Sequence, residues 1–201
     1  MTVERVLDRV AGNADVRLVR PAELALAELT YPPGMLRGMT PTAELIHFPE
    51  GYGTPTVTLA WPDVRARLVA AAHYWLATTR PDGRPHAVPS DGIWADEGCY
   101  FGGHAATVHL RNLALNPAVS LHLEDATAAV IVEGTASWVV PARAAARSLA
   151  AASKAKYGWG QASSYEGGVW LLRPARVLAW NTLFRDATRF TFDGGQPPRG
   201  P

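Results

Sequence analysis

The sequence predicts a mainly β protein with a few flanking helices, built as a closed or split antiparallel β-barrel. Short apolar strands recur about every ten residues along most of the chain, with turn residues between them. Only a few helical patterns lie among these strands, which argues against the alternating strands and helices of a parallel sheet. The 201 residues suit one domain, or one domain with an extension, and 48% hydrophobic residues are sufficient for a core.

We expect residues 1–60 to form an N-terminal extension that is partly helical and partly irregular. Apolar residues recur at helical spacing in 2–11, and a second short helix can begin at Pro21. Pro and Gly then interrupt any regular element in YPPGMLRGMTPT (31–42) and FPEGYGTP (48–55). A mobile leader is the alternative, but the apolar residues of this segment favour an extension that packs on the core.

The first half of the core domain, which we place at 61–192, is predicted to be a helix followed by three strands. The helix begins at Trp61 with Pro and Asp in its first turn. A turn at 81–83 joins the first two strands into a hairpin, and a turn at 96–98 precedes the third. The three strand segments are HYWLATT (73–79), RPHAVPSDGIW (84–94) and CYFGG (99–103).

The second half of this domain adds two helices and the remaining strands. Thr107 is expected to cap the helix VHLRNLALN, and Pro117 marks its end. AVSLHLE (118–124) alternates strictly between apolar and polar residues, which indicates a half-buried strand. An Ala-rich helix is expected from Pro141 to about Tyr157. The other expected strands and the flexible tail are AVIVEGTASWVV (129–140, bent near Gly134), VWLLRP (169–174), RVLAWNTLF (176–184), TRFTF (188–192) and 193–201.

Charge and composition exclude several classes of partner. Nineteen basic and eighteen acidic residues leave a formal charge of +1, so no net field holds a nucleic acid or an anionic membrane. The single cysteine, Cys99, makes no internal disulfide and fits a reducing compartment. No apolar run approaches the roughly 20 residues of a membrane span, and the start lacks the apolar core of a signal peptide. We therefore expect a soluble, cytoplasmic protein.

Five segments carry a resemblance to a known family. They are WLATTRPDGRPHAVP (75–89), YFGG (100–103), RNLALNP (111–117), VSLHLE (119–124) and VIVEGTA (130–136). In this order and spacing they resemble the pyridoxamine 5'-phosphate oxidase-like superfamily of flavin- and deazaflavin-dependent oxidoreductases, the FMN-binding split barrels. KYGW (156–159), the strand that contains Trp180 and the terminal TRFTF resemble one branch of it. The resemblance implies a split-barrel homodimer with a cofactor in the groove between its subunits.

The residues around the third strand suit a phosphorylated isoalloxazine cofactor. The start of the 107–117 helix offers unpaired backbone N–H groups and the positive end of a helix dipole, and the glycines before it allow close backbone approach. In the family the second hairpin strand runs beside the ring. The predicted cofactor-binding residues are Pro89, Ser90, Asp91, Gly92, Gly102, Gly103, Thr107, His109, Arg111 and Asn112. Alternatively, Arg111 is a surface residue and Asn112 a capping group.

His109 leaves the choice of cofactor open. Many members of the superfamily carry a phosphate-binding Lys where this chain has His109. A neutral imidazole still donates one hydrogen bond to a phosphate, which in turn favours the protonated form. Haem is a minor alternative because some barrels of the superfamily bind it. No metal site is expected, because no ligand triad has a recognised spacing among the six histidines 47, 73, 86, 104, 109 and 122.

The resemblance implies an oxidoreductase that uses reduced coenzyme F420 or FMN to transfer a hydride to an unsaturated small molecule. F420 is slightly preferred, because the branch with this RNL…NP pattern resembles enzymes that use it. Such chemistry needs no nucleophile or paired carboxylates, so no catalytic residue is assigned. Trp180 and Arg189 are expected near the substrate and dimer groove, as in the resembling branch. The alternative function is a non-catalytic flavin-, haem- or tetrapyrrole-binding barrel.

Overall fold

The structure is a computed structural model that describes residues 40–192, and these form nine strands and five helices. The strands are β1 (Thr42–Leu45), β2 (Tyr74–Thr79), β3 (Pro85–Ser90), β4 (Gly92–Ala95), β5 (Gly98–Phe101), β6 (Ala118–His122), β7 (Val130–Val139), β8 (Val169–Ala179) and β9 (Thr188–Thr191). The helices are α1 (Trp61–Ala70), α2 (Val108–Leu115), α3 (Arg143–Tyr157), α4 (Ser163–Glu166) and α5 (Leu183–Asp186). The predictions for 2–11, for the helix from Pro21 and for the tail at 193–201 lie outside the described residues.

All strand pairs in this part of the chain are antiparallel, as the sequence predicts. The strands follow the order β1-β9-β8-β7-β6-β2-β3, with β4 paired to β5 and β5 paired to β8. Strands β1 and β3 stand at the two ends of this order and do not pair, so the sheet stays open. The predicted class, a mainly β split antiparallel barrel, is confirmed.

Strand β8 is the long central strand, and it corrects one expectation. The segments 169–174 and 176–184 were expected as separate strands, but 169–179 is one strand, followed by the short helix α5. Its early residues pair with β5 and its late residues with β9, while β7 runs along its other edge. Pro174 is tolerated in mid-strand because the register with β7 shifts between Glu133 and Gly134. The predicted bend near Gly134 lies at this irregularity.

The return strand of the hairpin is also shorter than expected. The segment 84–94 was expected as one strand, but β3 ends at Ser90 and β4 begins at Gly92. The break arises because the two halves choose different partners: β3 pairs with β2, whereas β4 turns away to pair with β5. Asp91 therefore lies between two strands, with its backbone outside either ladder.

Two apolar clusters flank this break. The larger contains Trp61 of α1, whose ring centroid lies 5.3 Å from that of Phe190 and 5.1 Å from that of Phe192. The smaller lies under α3 and joins Leu149 to Ile93 of β4 and other residues. Burying side chains of this size stabilises the fold by about 1.5–3 kcal/mol each. Strand β4 thus separates the two clusters and is held by both.

Residues 40–60 contact the sheet. Strand β1 pairs with β9 from Thr42 to Leu45, and the Leu59 N–H donates to Thr188 Oγ1 at 2.8 Å. The domain boundary at residue 60 stays a prediction. Among the described residues, no helix is long and apolar enough to cross a membrane.

Candidate cofactor site

A cavity of about 580 Å³ lies where the break between β3 and β4 meets the loop after β5 and the helices α3 and α4. This volume falls in the range of small-molecule sites, about 300–1,000 Å³. The structure brings seven of the predicted cofactor-binding residues to its wall: Pro89, Ser90, Asp91, Gly92, Gly102, Gly103 and His109.

The C-terminal end of α3 fixes the backbone at Gly92. The Gly92 N–H donates to the Tyr157 hydroxyl at 2.9 Å, and that hydroxyl lies 2.9 Å from the Gly92 carbonyl, to which it donates. Lys156 Nζ donates to the same carbonyl at 2.8 Å. Both polar atoms of the Gly92 backbone are therefore engaged within the protein, so this residue shapes the cavity rather than binding a ligand through hydrogen bonds.

Helix α3 ends where it does because Gly158 adopts a left-handed conformation with φ of +78°. Its N–H donates back to the Lys154 carbonyl at 3.0 Å, which satisfies one of the terminal carbonyl groups. Lys154 and Lys156 lie in the last turn, where positive charge is favoured by the helix dipole. This ending directs Lys156 and Tyr157 towards the β3–β4 break.

A stack of three rings lies beside the cavity, with Tyr157 and Trp159 in the cavity wall. The rings of His73 and Tyr157 lie 6.0 Å apart at 30°, and those of Tyr157 and Trp159 lie 5.9 Å apart at 23°. His73 Nδ1 also lies 2.9 Å from Asp91 Oδ1, an exposed ion pair when the imidazole is protonated. The stack therefore ties the break at Asp91 to the segment after α3.

Beyond the end of β5, Gly102, Gly103 and His109 form what we call the polar end. Gly103 has a φ of +153°, and a Cβ placed there would lie 3.4 Å from His109 Nε2. The His109 Nε2 and Thr107 Oγ1 atoms are buried and make no hydrogen bond with any described residue. Thr107 occupies the N-cap position of α2, but its side chain does not cap the helix. The expectation that Thr107 caps α2 is therefore wrong for its hydroxyl.

Burial controls the protonation of several groups near the cavity. It lowers the pKa of His109, with a further lowering from nearby His86, so the free imidazole is neutral. It also lowers the pKa of Lys156, although Cys99 and Asp91 oppose this effect. Burial raises the pKa of the Cys99 thiol to about 12 and raises that of Tyr74 as well. Cys99 is thus a buried, unreactive thiol.

Arg111 and Asn112 do not reach this cavity. The Arg111 side chain is exposed on α2. The buried Asn112 donates from Nδ2 to Thr78 Oγ1 at 2.9 Å, which ties α2 to β2. Neither residue lies in the cavity wall.

Trp180 and Arg189 lie elsewhere on the sheet. The Trp180 N–H donates to the Ala129 carbonyl just beyond the end of β8. Arg189 Nη1 lies 3.1 Å from Glu44 Oε1, an ion pair between β9 and β1. Neither lines the cavity, and their expected place at a dimer groove stays a prediction.

Three lining residues were not singled out from the sequence: Trp138, Ser153 and Tyr165. Tyr157 and Trp159, which also line the cavity, lie in the segment KYGW (156–159) that carries part of the resemblance, and this segment is the signal that points to the end of α3. Among the described residues, no three His, Cys, Asp or Glu side chains are grouped so as to hold a metal ion.

Comparison with known proteins agrees with this fold. A family model for pyridoxamine 5'-phosphate oxidase matches residues 60–181. No curated protein sequence matches the chain significantly. Among solved structures, a conserved hypothetical protein from Mycobacterium tuberculosis is 20% identical, with 64% of this chain and 88% of that one covered at a TM-score of 0.54.

A haem-binding protein from Mycobacterium smegmatis is 23% identical, with 64% of this chain and 56% of that one covered at a TM-score of 0.51. A protein described as an F420 reductase is 22% identical, with 55% of this chain and 92% of that one covered at a TM-score of 0.43. At these identities the first two similarities show a shared fold.

Proposed function

Because the chain belongs to the pyridoxamine 5'-phosphate oxidase family, we propose that it is an oxidoreductase that uses reduced coenzyme F420 or FMN to transfer a hydride to an unsaturated small molecule. The observation that carries this proposal is the polar end of the cavity. There the unpartnered His109 Nε2 lies in the first turn of α2, beside Gly103. Buried polar groups normally have partners, so this nitrogen suits a ligand that supplies one. Thr107 is not among the residues that line the cavity.

The phosphate of the cofactor fits this end on chemical grounds. The first turn of α2 supplies backbone N–H groups and a partial positive charge, which favour an anion. Nothing lies within 4 Å of a Cβ placed on Gly102, so there is space for the phosphate to approach the backbone. Protonated His109 would add a charged donor.

The ring system of the cofactor fits the wall formed by Pro89, Ser90 and Asp91, beside the fixed backbone of Gly92. The bound cofactor supplies the hydride chemistry itself. The residues of the chain would orient it: Lys156 and Tyr157 hold the Gly92 backbone, beside the wall where the ring would bind. The aromatic side chains of Tyr157, Trp159 and Trp138 exclude water from the reacting face.

The same histidine also supports a second candidate function. A buried, neutral imidazole with a free Nε2 is also a suitable ligand for haem iron. The haem-binding protein from M. smegmatis shares the fold, so the fold alone does not choose between the two. The second candidate is therefore a non-catalytic barrel that binds haem, another tetrapyrrole or a flavin.

The homodimer and the cytoplasmic location predicted from the sequence are part of the same proposal. Members of the resembling superfamily place the cofactor between subunits, so a partner subunit would complete the phosphate site. Sedimentation of the full chain measures this directly, and we expect a dimer at micromolar concentration.

The deciding experiment is a visible spectrum of the purified full chain, followed by titration with FMN and with F420. We expect saturable binding of one of the two and no Soret band. His109→Gln should weaken that binding about tenfold, as for a lost charge-assisted hydrogen bond, whereas His47→Gln on the exposed surface should leave it unchanged. A Soret band together with no binding of either cofactor would refute the oxidoreductase and support the haem alternative.

Arg111→Ala completes this series. Because the Arg111 side chain lies outside the cavity of its own subunit, we expect less than a twofold change in cofactor affinity. A loss of about tenfold or more would instead place Arg111 on the phosphate.

A further inference from the structure

The cavity has a second region that the proposed phosphate and ring positions leave free. This region, which we call the aromatic end, lies between β7, α3 and α4. It consists of Trp138, Ser153, Tyr157, Trp159 and Tyr165. Among the described residues that line the whole cavity there is no Lys or Arg, and the single carboxylate, Asp91, faces His73. The aromatic end therefore favours an uncharged ligand.

The walls of this end are flat and firmly held. Trp138 packs edge-on against Trp170 with ring centroids 6.0 Å apart at 76°. Its indole also covers Gly168, where a Cβ would lie only 2.4 Å from the ring, so a glycine is required there. Tyr157 is fixed by its hydrogen bonds to Gly92, and Trp159 stacks on it. Flat, fixed aromatic walls suit a planar ligand that stacks on them.

One hydroxyl is placed inside this apolar surrounding without a partner. Ser153 is 1% exposed, and its Oγ makes no hydrogen bond with any described residue. A serine within a helix commonly donates to the carbonyl four residues earlier. Ser148 of the same helix does so, to the Ala144 carbonyl at 3.2 Å. The buried Ser153 hydroxyl makes no such bond, and Ser153 is among the residues that line the cavity.

We propose that the aromatic end is the substrate subsite, and that it takes a planar, uncharged aromatic or conjugated molecule with one acceptor atom. That atom, a ring nitrogen or a carbonyl oxygen, accepts a hydrogen bond from Ser153 Oγ. The molecule is a substrate only if the proposed function holds. Its hydrogen bond, however, depends on Ser153, which the proposed cofactor contacts do not include.

Two probes of the same shape test the hydrogen bond: quinoline, which carries a ring nitrogen, and naphthalene, which does not. Their binding to the full chain is measured by ligand-observed NMR, with and without the bound cofactor. We expect Ser153→Ala to weaken quinoline binding about three- to tenfold and to change naphthalene binding less than twofold. Alanine is a strong helix former, so the helix is retained. The control Ser148→Ala should change neither.

Trp159→Ala tests the stacking surface. The side chain is 53% exposed, so its removal should leave the fold intact while weakening both probes about two- to tenfold. Three results would overturn the proposal: no binding of quinoline to the wild type, equal losses of both probes in Ser153→Ala, or displacement of quinoline by saturating cofactor. Ser153-dependent binding of quinoline to a chain that binds neither FMN nor F420 would support the subsite and refute the proposed function alone.

Discussion

Replacing Tyr157 by Phe removes one hydroxyl that serves both polar atoms of the Gly92 backbone. The Gly92 carbonyl keeps its hydrogen bond from the Lys156 ammonium at 2.8 Å, so the loss of the tyrosine donor costs this carbonyl little. The Gly92 N–H, by contrast, loses the partner it has at 2.9 Å and is left buried. An unsatisfied buried donor costs about 1–3 kcal/mol, and we expect the free energy of unfolding to fall by this amount.

Urea unfolding followed by tryptophan fluorescence measures this change as a lower midpoint with an unchanged slope. Amide hydrogen exchange gives a local readout, because the Gly92 N–H should exchange faster in the variant. Tyr100→Phe is the control for the loss of a tyrosine hydroxyl from the wall of the same cavity. It should leave the exchange of the Gly92 N–H unchanged, because the side chains that bind the Gly92 backbone are Tyr157 and Lys156. A Tyr157→Phe variant with full stability and unchanged Gly92 protection would refute the assigned role of this hydroxyl.

Three further results are expected. Gly168→Ala should lower the free energy of unfolding by about 2–4 kcal/mol in urea titrations, because the added Cβ meets the Trp138 ring and φ is +114°. The control Gly167→Ala should not lower it, because a Cβ there has open space around it. Asn112→Ala should lower the free energy of unfolding by about 1–3 kcal/mol, because it leaves Thr78 Oγ1 unpaired, and it should not change the affinity for FMN. A variant with full stability and weakened FMN binding would instead show that Asn112 belongs to the cofactor site. Because burial lowers the pKa of His109 in the free protein and a bound phosphate raises it, binding takes up a proton. The Kd for FMN measured by fluorescence should therefore rise as the pH increases from the lowered pKa of the free imidazole through the raised pKa of the complex. His109→Gln should remove this dependence, and an identical pH profile in the variant would show that another group titrates.

The parts of the fold that local sequence determines were predicted well. The turn at Gly83, with φ of +82°, joins β2 and β3 as the Pro-Asp-Gly signal indicates. The alternation in 118–124 places Val119 and Leu121 in the core, as the pattern requires. Such signals depend on neighbouring residues, so one sequence is enough to read them.

The errors arose where distant segments decide the local structure. The break at Asp91 exists because β4 pairs with β5 instead of continuing along β2. Residues 169–179 form one continuous strand because the register with β7 shifts next to Gly134. Neither pairing leaves a signal in the segment itself, because propensity scales describe a residue and its near neighbours.

The candidate site shows the same division. The glycines at 102 and 103 and the imidazole of His109 were identified because they surround a predicted helix start. The contribution of α3 was missed, since Lys156 and Tyr157 contact Gly92 across 64 and 65 residues of sequence. The position of Ser153 in the cavity wall was likewise not predicted, because nothing in the sequence of an Ala-rich helix indicates which face lines a cavity.

The central position of β8 has a consequence for synthesis on the ribosome. Strands β5 and β7 are made first, yet each has an edge whose partner within residues 40–192 is β8, as at Cys99 with Leu172 and Val132 with Val177. Until residues 169–179 emerge, both edges lack their partner, and unpaired strand edges promote aggregation. The nascent chain therefore depends on a late segment to protect its earlier strands. A chain shortened before Val169 would leave one unpaired edge on β5 and one on β7, and both would promote aggregation.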